Sequence, residues 1–353
     1  MKQVDYIIVG QGIAGTMLSW FLMKRGFSVV VIDDGKKNSA SRVAAGIINP
    51  VSGRRFEPAW LYEEIYPFAK STYDELSDLL KINILTERNL WTVFPSAQMR
   101  DAFKAKADKE TNGKYAVIPQ QLQYEEYLQQ DFGAAVIKGA TVNLKNLLPA
   151  YREMLISKEA LLDEHFELSQ LQLVNNVQVT YHDIAAKKII FCDGAAAATN
   201  PYFSAIKFLP NKGEVLFIRV PGLESSDIIK KSITLVPQPD GQFWAGSSFA
   251  WDYADELPTA AQRVVLEEKL QQLLKVPYEV TDQQAAVRPS GHDRRPIAGF
   301  HPEYPLIGIF NGLGTKGTSL APLMADHFSR VIAGETEIMP EISVNRYFNM
   351  LRQ

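Results

Sequence analysis

Gly10, Gly12 and Gly15 follow one another with the spacing G-x-G-x-x-G, and Asp33 stands about twenty residues beyond them. The residue types suit one task. Gly10 permits a tight turn, Gly12 lets backbone N–H groups approach a pyrophosphate, and Gly15 lets a helix lie close to a sheet. Ile13 and Ala14 open that helix, whose positive end would face the phosphates. Asp33 can accept hydrogen bonds from both hydroxyls of an adenosine ribose and would repel a 2′-phosphate. A glycine turn that only packs helix on strand has the same spacing, so the acid beyond it is what favours a dinucleotide. Near the other end of the chain, Gly312, Gly314 and Gly317 punctuate a second glycine loop that leads into a helix.

These groups need elements to hold them. Tyr6-Ile7-Ile8-Val9 is short, apolar and rich in branched residues, as a strand buried on both faces should be. Ile13, Met17, Trp20, Phe21 and Met23 recur at helical intervals as far as Lys24-Arg25-Gly26, where a basic turn and a glycine close the helix. Residues 28–32 form a second β-branched run that ends on Asp33. The unit reads as a dinucleotide site, with FAD or NAD favoured over NADP. A polar turn beyond Asp34-Gly35 leads through Ser41 into Arg42-Val43-Ala44-Ala45-Gly46-Ile47. Small residues there let backbone approach a flat ligand, or pack a helix, and Arg42 could pair with a phosphate.

Farther along, residues 57–81 carry an amphipathic pattern of one or two helices, residues 84–94 read as a strand, and Ser96 caps a short helix to Ala105. Helical spacing returns over 144–158. From Phe166 the pattern switches to period two and turns at Asn175-Asn176, which signals a hairpin. A buried strand then ends at Cys192-Asp193-Gly194, either presenting backbone to the same ligand or simply ending. Residues 208–220 and 232–249 make a second β-rich block with a turn at Pro239-Asp240-Gly241. Thr259 with Gln262 forms a capping box for a helix to about Leu274. A strand over 306–310 delivers the second glycine loop, and a helix follows from Ser319 to Ile332.

A chain of 353 residues suits two interlocked domains, since single cores stop growing near roughly 250–300 residues. The net charge of −3 and the dispersed basic residues argue against a nucleic-acid partner. One cysteine, Cys192, leaves no intrachain disulfide and fits a reducing, cytoplasmic setting. His165, His182, His292, His301 and His327 have neither metal nor triad spacing, so no metal is expected. The first apolar segment is broken by three glycines and Gln11, and no run reaches the ~20 residues of a membrane span, so neither a signal peptide nor membrane association is expected.

The second glycine loop separates the two nucleotides. A nicotinamide enzyme seldom needs another glycine-rich helix start about three hundred residues on, whereas a flavin does. Hydride uptake puts negative charge on the pyrimidine edge of the isoalloxazine, and free N–H groups at a helix N-terminus stabilise it. Gly312, Gly314, Thr315, Lys316, Gly317 and Thr318 supply that start, unless the loop is another packing turn.

Taken in order, the fingerprint with Asp33, RVAAGIINP, FCDGAA, KGEVL, DGQFWAGSS, VRP with DRRPIAG, and NGLGTKGTSLAP resemble the D-amino acid oxidase, glycine oxidase and sarcosine oxidase family of FAD-dependent oxidoreductases. The resemblance spans most of the chain. It implies a mixed α/β fold in which a Rossmann-like FAD-binding domain (1–59, 143–205 and 285–353) is interleaved with a mixed-sheet substrate domain (60–142 and 206–284). It implies oxidation of the C–N bond of a small amine or amino acid by hydride transfer, an imine that hydrolyses, and O2 or another electron acceptor. Candidate cofactor contacts are Gly10, Gly12, Ile13, Ala14, Gly15, Asp33, Asp34, Ser41, Arg42, Ala44, Ala45, Gly46, Ile47, Phe166, Cys192, Asp193, Gly194 and the second loop. Because Cys192 does not match the C-terminal cysteine that tethers flavin in sarcosine oxidases, FAD is expected to be non-covalent.

By the same resemblance, Arg288 corresponds to an arginine that binds a substrate carboxylate, with a structural ion pair as the alternative. Lys316 corresponds to a lysine that contacts substrate carboxylate in some relatives, and could equally face the flavin edge or solvent. Arg54 and Arg55 could reach an acidic substrate or form a solvated basic turn. Two segments, LGTKGTSLAPLMADHF and DRRPIAGFHPE, are also similar to the oxidase domain of an enzyme that matures a carboxymethylaminomethyl-uridine in tRNA, and the net charge argues against that substrate. A flavin-binding protein without turnover is the remaining alternative.

Overall fold

The structure is a computed structural model of the chain and describes residues 1–52, 56–107 and 114–349. Arg54 and Arg55 lie outside the described residues.

The chain opens with β1 (Lys2–Val9), α1 (Ile13–Lys24) and β2 (Val29–Ile32). All of β2 is buried, as are Ile7 and Ile8, which is why these runs are continuously apolar rather than alternating. Next come α2 (Ala40–Val43), β3 (Ile47–Ile48), β4 (Val51–Ser52) and β5 (Glu57–Pro58). The long amphipathic stretch forms one helix, α3 (Tyr62–Leu80), which buries Ile65, Ala69, Tyr73 and Leu76 at helical spacing and accommodates Pro67. After β6 (Leu85–Val93), the Ser96 hydroxyl accepts from the Met99 N–H at 3.3 Å and starts α4 (Ala97–Ala107). Then β7 (Ala116–Val117) and β8 (Ala134–Val142) precede α5 (Leu144–Ser157), whose cap Asn143 accepts from the Asn146 N–H at 3.1 Å.

Past β9 (Leu161–Leu162), the hairpin of β10 (Leu171–Val174) and β11 (Gln178–Tyr181) forms with Asn175 and Asn176 both left-handed, the conformation that matches strand twist. The period-two stretch does not start at Phe166. Residues 168–170 make a 3-10 turn, because Phe166 stacks on Tyr181 with ring centres 4.9 Å apart and meets Phe191 edge-on, out of line with the ladder.

The remaining elements are β12 (Ile184–Phe191), β13 (Asn211–Arg219), β14 (Ile228–Lys230), β15 (Thr234–Pro237), β16 (Phe243–Gly246), α6 (Ala260–Gln271), β17 (Glu279–Arg288), β18 (Ile297–Phe300), β19 (Ile307–Asn311), α7 (Gly317–Ile332) and α8 (Asn345–Asn349). Thr259 caps α6 as expected, accepting from the Gln262 N–H at 3.3 Å, but the capping box is not reciprocal. The Thr259 N–H donates to buried Glu214 at 2.8 Å instead, and the helix stops at Gln271.

Two large sheets organise these elements, and β4 and β5 pair as a separate two-stranded ribbon. The first has the order β10-β11-β12-β1-β2-β9, with β19 parallel to the C-terminal half of β12 and β18 beyond it. The second runs β17-β13-β16-β15-β14-β6-β8-β3, with β7 on β8. Thus β3 joins the second sheet, and β17 continues unbroken to Arg288. One face of the second sheet buries Leu216, Leu235 and Ala245 against Leu266 and Leu270 of α6. The other turns Val215, Val236 and Trp244 toward Val43, Ala45 and Ile47. Trp244 Nε1 donates to the Val43 carbonyl at 2.8 Å, so that face lies against the segment just past the first glycine turn.

Candidate active site

The parallel strands β1, β2, β12 and β19 point their carboxyl ends at one crevice. Gly10 leaves β1 with φ +96°, a backbone state that favours glycine, and a Cβ there would meet the Cys192 carbonyl oxygen at 2.7 Å. A Cβ on Gly15 would lie 1.8 Å from the Gly10 carbonyl oxygen. Gly12 begins α1 with no side-chain cap, and at the start of the helix the Ile13 N–H donates to Ser41 Oγ at 3.0 Å. A helix start lined by glycine and one hydroxyl is an anion site. Ala14 and Gly15 are buried behind it.

The second glycine loop arrives from the neighbouring strand. The Asn311 amide donates to Asp193 Oδ1 at 3.1 Å and to the Gly194 carbonyl at 2.9 Å, tying the ends of β12 and β19 together. Gly312 and Gly314, with φ of +72° and +55°, turn the chain into a 3-10 turn over Gly314–Lys316. The following helix begins at Gly317, two residues earlier than the apolar spacing predicts, because Gly317 packs on Ile13 and a Cβ there would lie 3.1 Å from Ile13 Cγ2. The two glycine-led helices therefore start side by side. Thr318 Oγ1 donates to the Ile47 carbonyl at 3.2 Å, and Tyr73 donates to the Thr318 carbonyl at 2.7 Å. Gly46, at φ +72°, presses so closely on β8 that a Cβ would sit 2.0 Å from the Val142 carbonyl oxygen. This places Ala44, Ala45, Gly46, Ile47 and the Thr315–Thr318 turn together. The half-buried Arg42 finds no acid among the described residues.

At the other end of the crevice, Asp33 Oδ2 accepts from the Gln11 N–H at 2.7 Å, and Oδ1 accepts from the Gly35 N–H and Arg152 Nη1, each at 2.8 Å. The carboxylate is thereby fixed against the glycine turn. Asp34 pairs with His165 at 3.0 Å on the surface. Phe166 is turned into the apolar layer with Tyr181 and Phe191, where it serves the core.

Arg288 closes β17 beside this crevice, and two residues on Ser290 bridges to Leu313 of the second loop. Its Nη1 donates to Asn211 at 2.7 Å, and its Nη2 to Ser247 Oγ at 2.7 Å and to the Ser248 carbonyl at 3.3 Å. The Phe249 ring stacks at 4.5 Å. Every one of these partners is neutral, and no acid pairs with Arg288 among the described residues. Burial pulls its pKa down, although a guanidinium stays charged. Gly213 makes room for it: a Cβ would lie 1.9 Å from Arg288 Nη2. Lys316 is half-buried at the start of α7, its pKa depressed by burial and then by the nearby charges of Arg295 and Lys230. Arg295 lies over the Trp60 ring at 4.3 Å. Asn211, Gly213, Ser247, Arg295 and Lys230 were not among the residues picked from sequence. Only Lys230, a lysine ending an apolar three-residue strand, carries a signal that periodicity could have caught.

The family model described as FAD dependent oxidoreductase (DAO) matches residues 5–330. The chain belongs to this DAO family. It is 22% identical over 362 residues to the glycine oxidase of Pseudomonas putida, spanning 96% of each chain. Its fold is similar to that of glycine oxidase from Bacillus cereus, with a TM-score of 0.81 at 19% identity over 95% of this chain and 96% of that one. It is also similar to iminodiacetate oxidase from Chelativorans sp. BNC1, with a TM-score of 0.77 at 20% identity over 97% and 98%. The protein is thus an FAD-dependent oxidoreductase with the mixed α/β architecture of the DAO family.

The residues present fit FAD. Backbone crowding at Gly10 and Gly15 admits only glycine, and two helix starts face one crevice, one for each charged part of an extended dinucleotide. Cys192 is buried under the glycine turn, its thiol pKa pushed well up by burial and by Asp193, so it has no reactive thiolate to offer the DAO cofactor. Asp193 itself is pushed up to about 7 by burial, against the opposing hydrogen bonds of its own backbone, Asn200 and Asn311. A carboxyl whose pKa is raised in this way carries less charge near neutral pH than an ordinary aspartate and repels a pyrophosphate less.

Proposed function

We propose that this DAO-family protein oxidises the C–N bond of a small amino acid whose carboxylate is gripped by Arg288. The observation that carries this reading is the half-buried guanidinium at the end of β17, held only by neutral groups. A buried charge without a counter-ion is costly, and a substrate carboxylate compensates it. Nη1 donates to Asn211 and Nη2 to Ser247 and Ser248, which leaves an N–H at Nε and one at Nη1, either of which can donate to that carboxylate. The names glycine oxidase and iminodiacetate oxidase, borne by similar proteins, support an amino-acid substrate.

The two glycine-led helix starts would hold FAD non-covalently, and the bound cofactor would supply an acceptor for a hydride from the carbon next to nitrogen. Arg288 fixes the carboxylate and so aims that carbon–hydrogen bond, while Asn211 and Ser247 hold the guanidinium in place. The second sheet covers the site from the other side. No general base is required: the amine enters neutral, leaves as an imine, and water converts the imine to a carbonyl compound and an amine. O2 or another acceptor would then take up the electrons.

The test is anaerobic. The purified yellow protein is mixed with a panel of amines and amino acids, and loss of the flavin absorbance is followed. Bleaching by amino acids, with a large loss of apparent affinity in Arg288→Ala, is expected. A panel that leaves the flavin oxidised would refute the reading.

A further inference from the structure

Lys230 ends β14 on the second sheet, and the register shows which way it faces. Thr92, Lys230, Thr234, Gly246 and Val215 lie opposite one another across β6, β14, β15, β16 and β13. Partners that are directly opposed in a sheet share a face. Val215 and its same-face neighbours Phe217, Trp244 and Val236 pack toward Val43, so Lys230 belongs to the face that covers the FAD crevice. Arg288 belongs to it too, because its guanidinium fills the place of a Gly213 Cβ, two residues before Val215 on the same strand.

Lys230 is half-buried there, and among the described residues neither a carboxylate nor another acceptor meets its ammonium. Beside it, Thr92 is buried with its hydroxyl oxygen unpartnered. An ammonium and a spare buried hydroxyl together call for an acceptor that the protein does not supply. The nearby groups do not relieve the demand, since Lys316 and Arg295 add positive charge and Lys316 feels Lys230 directly. Two strand spacings separate the Lys230 and Gly246 backbones, about 10 Å, and Ser247 next to Gly246 holds Arg288. Both cations thus stand on the one face of the second sheet that packs toward Val43.

We infer that the substrate is a dicarboxylate amino acid, with one carboxylate on Arg288 and the second, on the side chain or the nitrogen substituent, on Lys230 and Thr92. The inference rests on the reading of Arg288 given above. It adds a second anion site and predicts selection against glycine and alanine.

The experiment measures binding apart from turnover. Inert monocarboxylates (acetate, butyrate) and dicarboxylates (malonate, succinate, glutarate) are titrated into the FAD-loaded protein, by flavin difference spectra and by calorimetry, for wild type, Lys230→Met and Lys230→Arg. At least one dicarboxylate should bind about tenfold or more tightly than any monocarboxylate, Lys230→Met should abolish that advantage while leaving the monocarboxylates within about twofold, and Lys230→Arg should retain most of it. Equal affinity for both classes in wild type, or an equal loss for both in Lys230→Met, would overturn the inference. Because no oxidation is involved, failure here is distinguishable from failure of the amino-acid oxidation reading, which flavin bleaching tests separately.

Discussion

Arg288 and Gly213 are one device. The glycine leaves the space and the arginine occupies it, with 1.9 Å between Arg288 Nη2 and a would-be Gly213 Cβ. Gly213→Ala should therefore displace the guanidinium and raise KM for an amino acid about tenfold or more, with FAD content unchanged; activity assays beside flavin absorbance will show both. Asp193 gives a prediction in pH. Its folded pKa, about 7, lies above the ordinary aspartate value of 3.8, so the unfolded chain ionises first as pH rises. This group therefore favours folding most below pH 4, and its contribution declines between about pH 4 and 7. Asp193→Asn should flatten that decline in the melting temperature of the FAD-free protein; an unchanged pH profile would show that the carboxyl is not held neutral. Gly10 and Gly15 were legible in the sequence because backbone crowding there demands glycine, whereas Arg288 was picked out only by the family resemblance. Lys230 carried only the local signal of a lysine ending an apolar run, and its place beside Thr92 depends on pairing with the distant β6.

Elements were legible where their signals are local. The first strand, helix and strand, the Asn175-Asn176 hairpin and the Thr259 cap all follow from residues within a few positions of one another. Where a distant group intervenes, local reading falls short. Glu214, on β13, accepts from the Thr259 N–H and hydroxyl and from Gln283 Nε2, all within 2.9 Å, and pairs with buried Lys212 at 3.4 Å. One carboxylate thus caps α6, joins β13 to β17 and neutralises a buried lysine. Glu214→Ala strips all three at once and leaves Lys212 with the Leu257 carbonyl and, as its one carboxylate among the described residues, the exposed Asp255 at 3.8 Å. It should cost about 3–5 kcal/mol, read as a lower urea midpoint, whereas a surface-pair control such as Lys70→Ala should cost under about 1 kcal/mol. Equal effects of the two would contradict the role given to Glu214.

On the scale of the molecule, the decisive fact is that two glycine loops about three hundred residues apart in sequence start their helices side by side, Gly317 against Ile13. Each loop was visible alone, but their adjacency is a property of the sheet order, in which β12 stands between β1 and β19. The second sheet turns toward Val43 the face that carries Arg288 and Lys230. Gly15→Ala should yield a folded protein without yellow colour, because its Cβ meets the Gly10 carbonyl oxygen and deforms the pyrophosphate turn. In the proposed reaction an amino acid held by Arg288 loses hydride from the carbon next to nitrogen. The most direct test is single-turnover anaerobic bleaching with a bleaching amino acid that carries either protium or deuterium at that carbon. The account predicts slower bleaching with deuterium, and in Arg288→Met a protein still yellow that bleaches only at much higher amino-acid concentration. Bleaching that is indifferent to deuterium, or unaltered in Arg288→Met, would contradict it.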